Sequence, residues 1–169
     1  RGVSIYDVSN GVLVCEMRGH GTAPAYVEWE RQGRFILAST SSDHTSIIDL
    51  QTMHEVRRFR GSPATWSPDG SKILIASGGN VAADLIHVAS GRTHARIRSN
   101  QPYAASLRLS SDGRLGAVGS YNKTAVIWDF INDREICRVE GVRCAFSPDN
   151  RRLATAGPHT RIRLYAVQD

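Results

Sequence analysis

The stretch Leu107-Arg108-Leu109-Ser110-Ser111-Asp112-Gly113-Arg114-Leu115-Gly116-Ala117-Val118-Gly119-Ser120-Tyr121-Asn122-Lys123-Thr124-Ala125-Val126-Ile127-Trp128-Asp129 reads as three short strands joined by two tight turns. Leu107 and Leu109 flank Arg108, the alternation of a strand. Ser110-Ser111-Asp112-Gly113 then breaks it, because Asp-Gly supplies the positive φ that a tight turn needs. Residues 115–120 form an apolar run that ends in small side chains, and the third run closes on Ile127-Trp128-Asp129. Short runs bounded by Gly, Pro, Asn and Asp are strands and hairpins, and no part of the chain sustains a 3.6-residue period.

The pattern repeats along the chain. Ile5-Tyr6-Asp7, Ile47-Ile48-Asp49, Leu85-Ile86-His87, Ile127-Trp128-Asp129 and Leu164-Tyr165-Ala166 follow one another at steps of 42, 38, 42 and 37 residues. A second marker, the turn, ends at Gly33, Gly70, Gly113 and Asn150, at steps of 37, 43 and 37. Two markers that keep one period and one phase define a repeat protein. Each period holds four strands. The fourth is rich in arginine, at about 12–18, 54–60, 92–98 and 134–139.

These residues resemble WD40 repeats. The resemblance rests on the Ser-Pro-Asp-Gly turns, the small-residue second strands, Ile127-Trp128-Asp129 and the single Gly19-His20 pair, and it covers essentially the whole chain. It implies an all-β fold, a β-propeller of four-stranded antiparallel blades arranged radially. It also implies a bracing set of His, Ser or Thr, Asp and Trp within a blade. Here the repeats are degenerate. The blade after His20 has Ser39, Thr40 and Asp43 but Ile48 in the Trp position, and the blade of Trp128 lacks the His.

The chain is expected to form one propeller segment, 1–169. Residues 1–20 would be the last two strands of a blade. Full blades would span 25–61, 63–99 and 105–140, and 142–169 would be the first three strands of another. About four blades fall short of the seven or eight of a closed ring. The remainder would come from the same chain, from a second copy or from another subunit. The start at Arg1 rather than Met suggests part of a longer protein.

Chemistry is searched for with little return. No nucleophile elbow, zinc-protease helix or phosphate loop is present. The three cysteines, Cys15, Cys137 and Cys144, fit neither a disulfide framework nor a metal spacing, which favours a reducing, intracellular compartment, cytoplasmic or nuclear. No cofactor, no metal and no catalytic residue is expected. No apolar run approaches the ~18 residues of a membrane span. The 169 residues are 41% hydrophobic and 22% charged, a globular balance. The recurring Asp43, Asp69, Asp112 and Asp149 are read as turn residues, and Trp29, Trp66 and Phe146 as core between blades.

The candidate contact residues are aromatic and basic. Tyr103 and Tyr121 fall in loops that a WD40-like fold places on one face, beside His20 and Asp43. Aromatic anchors of this kind suit protein recognition. The net charge is +5, and of 21 basic residues only Lys72 and Lys123 are lysines. Arg57, Arg58 and Arg60 lie on one fourth strand and Arg96 and Arg98 on the next, predicting a basic outer rim. The rim would steer an acidic partner or bind RNA, or else protect sheet edges from pairing. The expected function is a non-enzymatic scaffold for protein partners in a multi-subunit assembly. The alternatives are a nucleic-acid-associated propeller and a TolB-like or enzyme-appended propeller, the latter because Trp66-Ser67-Pro68-Asp69-Gly70 also resembles TolB-like repeats.

Overall fold

The computed structural model describes residues 2–18, 24–40, 44–78, 81–99, 103–157 and 161–167. Among them there are seventeen strands in five antiparallel sheets and no helix. The chain divides into two compact units, Arg1–Ser62 and Pro63–Asp169. The first unit holds the pair β1 (Gly2–Tyr6) and β2 (Leu13–Arg18). It also holds the sheet β3 (Pro24–Trp29), β4 (Phe35–Thr40), β5 (His44–Asp49) and β6 (His54–Arg60).

The second unit opens with the sheet β7 (Ala64–Trp66), β8 (Lys72–Ala76), β9 (Val81–His87) and β10 (Thr93–Arg98). There follow β11 (Ala104–Leu109), β12 (Leu115–Ser120), β13 (Thr124–Asp129) and β14 (Arg134–Glu140), and then the three-stranded β15 (Arg143–Phe146), β16 (Arg152–Ala156) and β17 (Ile162–Ala166). Within each sheet every strand pairs with the next in sequence, so the three four-stranded sheets are the meandering blades of a β-propeller fold.

The repeated turn has a physical basis in Ser-x-Asp-Gly. Gly70, Gly113 and Asn150 adopt φ of 70°, 72° and 59°, and their amides donate to the carbonyls of Ser67, Ser110 and Ser147. The same serine hydroxyls donate to Asp69, Asp112 and Asp149, each at 2.5 Å. They also accept from the amides of Lys72, Leu115 and Arg152. The aspartates then take the amides of Ser71, Arg114 and Arg151 two residues on, closing an Asx turn. One hydroxyl and one carboxylate thus satisfy the donors that a turn leaves unpaired.

In the second unit the β11–β14 blade buries both faces, and β13 shows how. Val126 and Trp128 join Leu74, Leu85 and Ile97 of the preceding blade, whereas Ala125 and Ile127 join Cys144 and Leu153 of the following one. Alternate residues serve opposite neighbours, so the strand is apolar throughout. The approach is close. A Cβ on Gly116 would lie 2.9 Å from Ile97 and 2.8 Å from Phe130, and one on Gly119 would overlap the Val142 carbonyl.

In the first unit Val3 and Ile5 of β1 pack on Ile36, Ala38 and Ile48. Trp29 does not behave as expected. Trp66 is buried and Phe146 half-buried, but Trp29 is 51% exposed and Val27, on the same face, 52%. At the equivalent place in β11, Leu107 is 2% exposed because β7 and β8 lie against that strand. The two-stranded sheet before β3 contains no strands in those positions, so the face stays open.

Gly119→Ala should therefore cost about 1–3 kcal/mol, since backbone cannot give way as a side chain can. Gly33→Ala, where φ is 80° but a Cβ would meet nothing, should lose only the smaller backbone-strain cost. Urea denaturation of the two variants checks the order.

Candidate functional site

Tyr103 and Tyr121 meet at one end of the β11–β14 blade. Tyr121 donates its amide to the Tyr103 carbonyl at 3.3 Å, and the Ser120 hydroxyl donates to the same carbonyl at 3.2 Å. Tyr103 is 79% exposed and Tyr121 61%. Tyr103 has φ 60°, a left-handed conformation uncommon for a bulky residue. Lys123, in the same turn, has φ 74°. Two large aromatic side chains are thus held at the surface by backbone contacts. His20 and Asp43 lie outside the described residues, as do Gly19 and His159.

The arginine strands are partly neutralised. On β6, Arg58 donates to Glu55 at 2.7 Å, and Glu55 also accepts from the buried Ser46 hydroxyl at 2.6 Å. On β14, Arg138 pairs with Glu135 at 2.8 Å. On β10, Arg96 reaches across to Asp84 at 2.9 Å, and Arg98 to Asp133 of the next blade at 3.0 Å. Arg57 stands over the Phe59 ring at 6.0 Å. Among the described residues Arg57, Arg60, Arg92 and Arg134 have no ion-pair partner, so only part of the outer-strand arginine charge is offset. Exposed pairs of this kind contribute only about 0–1 kcal/mol each, but they cancel the field a polyanion would feel.

Sequence reasoning missed a second charge device. Asp49, at the end of β5, accepts from Arg34 at 2.8 Å, and Asp129, at the end of β13, from Arg114 at 3.2 Å. Both aspartates also cap the turn that follows, through the amides of Gln51 and Ile131. Burial alone would raise the Asp129 carboxyl. The Asn132 side chain, the Asn132 and Ile131 amides and Arg114 outweigh it and lower it to about 2. Asp129 borders a polar cleft of about 160 Å³ with Arg114, Arg134 and Arg151. The carboxylates there, Asp112, Asp129 and Asp149, are engaged in turns. Among the described residues no group of three His, Cys, Asp or Glu side chains is placed to hold a metal ion.

Comparison with known proteins meets this geometry at the blade that holds it. Residues 92–129 match the family model "WD domain, G-beta repeat". The chain is 26% identical to WD repeat-containing protein SL1-17 of Schistosoma mansoni, over 99% of its own length and 59% of the relative's. It is 29% identical to WD repeat-containing protein AAC3 of Dictyostelium discoideum, over 61% of its length and 23% of the relative's. Residues 92–129 thus carry a WD40 repeat, and the chain is similar along almost its whole length to a WD repeat-containing protein. It is also 25% identical to apoptotic protease-activating factor 1 of Rattus norvegicus, over 99% of its length but 14% of that protein's. It therefore spans well under two thirds of each of these relatives.

WD40-repeat proteins generally serve as non-enzymatic scaffolds for protein interaction. Within this WD40 chain the bracing set is incomplete. Trp128 is buried, yet its indole N–H finds no acceptor among the described residues. In the β3–β6 sheet Ser39 and Thr45 bond to each other at 2.8 Å, and Thr45 continues to the Gly61 carbonyl. Packing and turn chemistry carry these blades.

The depressed Asp129 carboxyl makes a pH prediction. Below its ordinary value near ~3.9 the unfolded chain takes up the proton first, so stability falls as pH drops through the window down to about 2. The deficit of Asp129→Asn relative to the parent should be constant above about pH 5 and shrink between about pH 4 and 2. Thermal melts across that range test it.

Proposed function

We propose that this chain is a scaffold that docks a protein partner through the Tyr103–Tyr121 end of its third four-stranded blade. One observation carries the reading: two tyrosines joined by a backbone hydrogen bond are 79% and 61% exposed, one of them on a backbone held in the left-handed region. Tyrosine offers a large apolar face and a hydroxyl with only two side-chain torsions to immobilise, which is why it is enriched at binding hot spots. Strain retained at an exposed aromatic residue is itself a pointer to function.

The name of one similar protein, a protease-activating factor, describes action on another protein and agrees with a role of this kind. Val27 and Trp29 on β3, with Ile162 and Leu164 on β17, leave apolar faces that further blades would cover. Those blades belong to the same chain, a second copy or another subunit of an assembly. The three free thiols suit a reducing intracellular compartment. The polyanion reading has less support, because Arg58, Arg96 and Arg98 are already paired.

Panning a random peptide library against the chain tests the proposal. Selected peptides should lose tenfold or more in affinity for the Tyr103→Ala/Tyr121→Ala double variant, the loss of about 1.4 kcal/mol or more expected of hot-spot residues. Peptides that bind parent and double variant alike would defeat it. Arg57→Glu/Arg60→Glu should slow association without changing which peptides are selected.

A further inference from the structure

One blade breaks the carboxylate–arginine pattern at three neighbouring places. In two four-stranded blades the last residue of the third strand is an aspartate, Asp49 or Asp129, opposite Phe35 or Leu115 in register. In the β7–β10 blade the corresponding pair is His87 opposite Lys72. The arginine that clasps the aspartate elsewhere, Arg34 or Arg114, is replaced by Ser71, whose carbonyl accepts from Val88 as theirs accept from Leu50 and Phe130. Val56 and Ile136, two residues into the fourth strand's hairpin side, are replaced by His94. The two imidazoles touch edge to face, with ring centroids 5.0 Å apart.

The result is a cluster of two imidazoles and an ammonium at a site where the neighbouring repeats hold a carboxylate and a guanidinium. The charged and titratable groups around it are Lys72 on β8, His87 on β9, His94 and the exposed Arg92 before and on β10, and Asp69 in the β7–β8 turn. Asp69 is occupied by the Ser67 and Ser71 hydroxyls. His94 is exposed, and slight desolvation, then Lys72 and His87, hold its imidazole below the ordinary histidine range. Asp69 attracts the Lys72 ammonium, but among the described residues no carboxylate forms an ion pair with either imidazole.

We propose that the His87–His94–Lys72 cluster is a proton-sensitive latch that loosens the β9–β10 hairpin on mild acidification. Protonation of either ring sets like charges against each other and against Lys72. The hairpins closed by Asp49 and Asp129 lack this weakness and keep their ion pairs through the same range. The sign follows from linkage. The unfolded hairpin binds protons more readily than the folded one, so local stability is full above the ordinary histidine value near ~6.5 and falls below it.

Hydrogen exchange of the 169-residue chain tests the latch, with protection corrected for the intrinsic pH dependence. Between pH 7.5 and 5, amides at 87–94 should lose protection relative to amides at 129–135. The expected loss is on the order of tenfold for each pH unit by which a histidine is depressed. His94→Val, which copies the residue of the β3–β6 blade, should abolish most of that loss. His87→Asp supplies the missing carboxylate and should reverse its direction. Lys72→Met, a change in one side-chain tip, should raise the His94 titration midpoint measured by NMR. A His94 midpoint at or above the ordinary histidine value would overturn the proposal, as would an equal loss of protection in His94→Val.

Discussion

Neighbouring blades in the second unit can bury Trp128 on one side and Ile127 on the other only because β12 carries almost no side-chain bulk. Gly116, Ala117, Gly119 and Ser120 let the adjoining backbone come within van der Waals reach, and the Val142 carbonyl occupies the space that a Cβ at Gly119 would need. Small residues in a strand forfeit packing of their own and cost backbone entropy. The return is that larger residues on the flanking strands reach across to the next sheet. Leu74, Leu85, Ile97 and Leu107 become fully buried against Val118, Val126 and Trp128 as a consequence. The rest of the unit follows from that contact, since a blade with both faces covered needs no bracing hydrogen-bond chain to stay flat. Trp128 can then be buried with its N–H unanswered, a loss of roughly 1–3 kcal/mol that packing offsets.

Charge in this protein is spent mainly on closing the chain's own corners. Asp69, Asp112 and Asp149 close one set of turns, Asp49 and Asp129 close another, and Glu55, Asp84 and Glu135 hold the outer-strand arginines. A net charge of +5 therefore says little about the field at the surface. What matters is which cations lack an ion-pair partner, and among the described residues these include Arg57 and Arg60 on β6, Arg92 before β10 and Arg134 on β14.

The repeat, the strands and the turns were legible because each has a local cause: period-two alternation, Asp-Gly and Pro-Asp-Gly turn chemistry, and small residues at a fixed phase. The pairing of the arginines was not legible, and the reason is geometric. Residues three apart on a regular strand point to opposite faces, so Glu55 and Arg58, or Glu135 and Arg138, read as strangers. A register shift at Ile47/Ile48 and another at Ile127/Trp128 insert one residue between each pair and turn them to the same side. A bulge has no sequence signature of its own here. Trp29 failed for a different reason. Its strand position is the one that buries Trp66, but burial depends on a neighbouring sheet, and periodicity reports only which face a residue is on. Tyr103 and Tyr121 were placed in the right loops from the repeat alone, whereas the backbone contact between them and the left-handed Tyr103 needed three dimensions.

Degeneracy among the repeats is what gives each blade a separate identity. Where a position is fixed by the fold, as at Gly70, Gly113 and Asn150, the residues stay within the set that tolerates positive φ. Where it is fixed only by charge balance, a blade can trade Asp and Arg for His and Ser and still fold, because packing supplies most of its stability. Such trades change how a blade responds to its surroundings without changing its shape. An aspartate lowered to about 2 is indifferent to any pH a cell meets, whereas an imidazole depressed by desolvation and a neighbouring ammonium is not. On the proposal made above, one corner of the β7–β10 sheet becomes responsive through a handful of substitutions, while the tyrosine end, on the next blade of the same unit, is held by the Ser120 hydroxyl and the Tyr121 amide on the Tyr103 carbonyl.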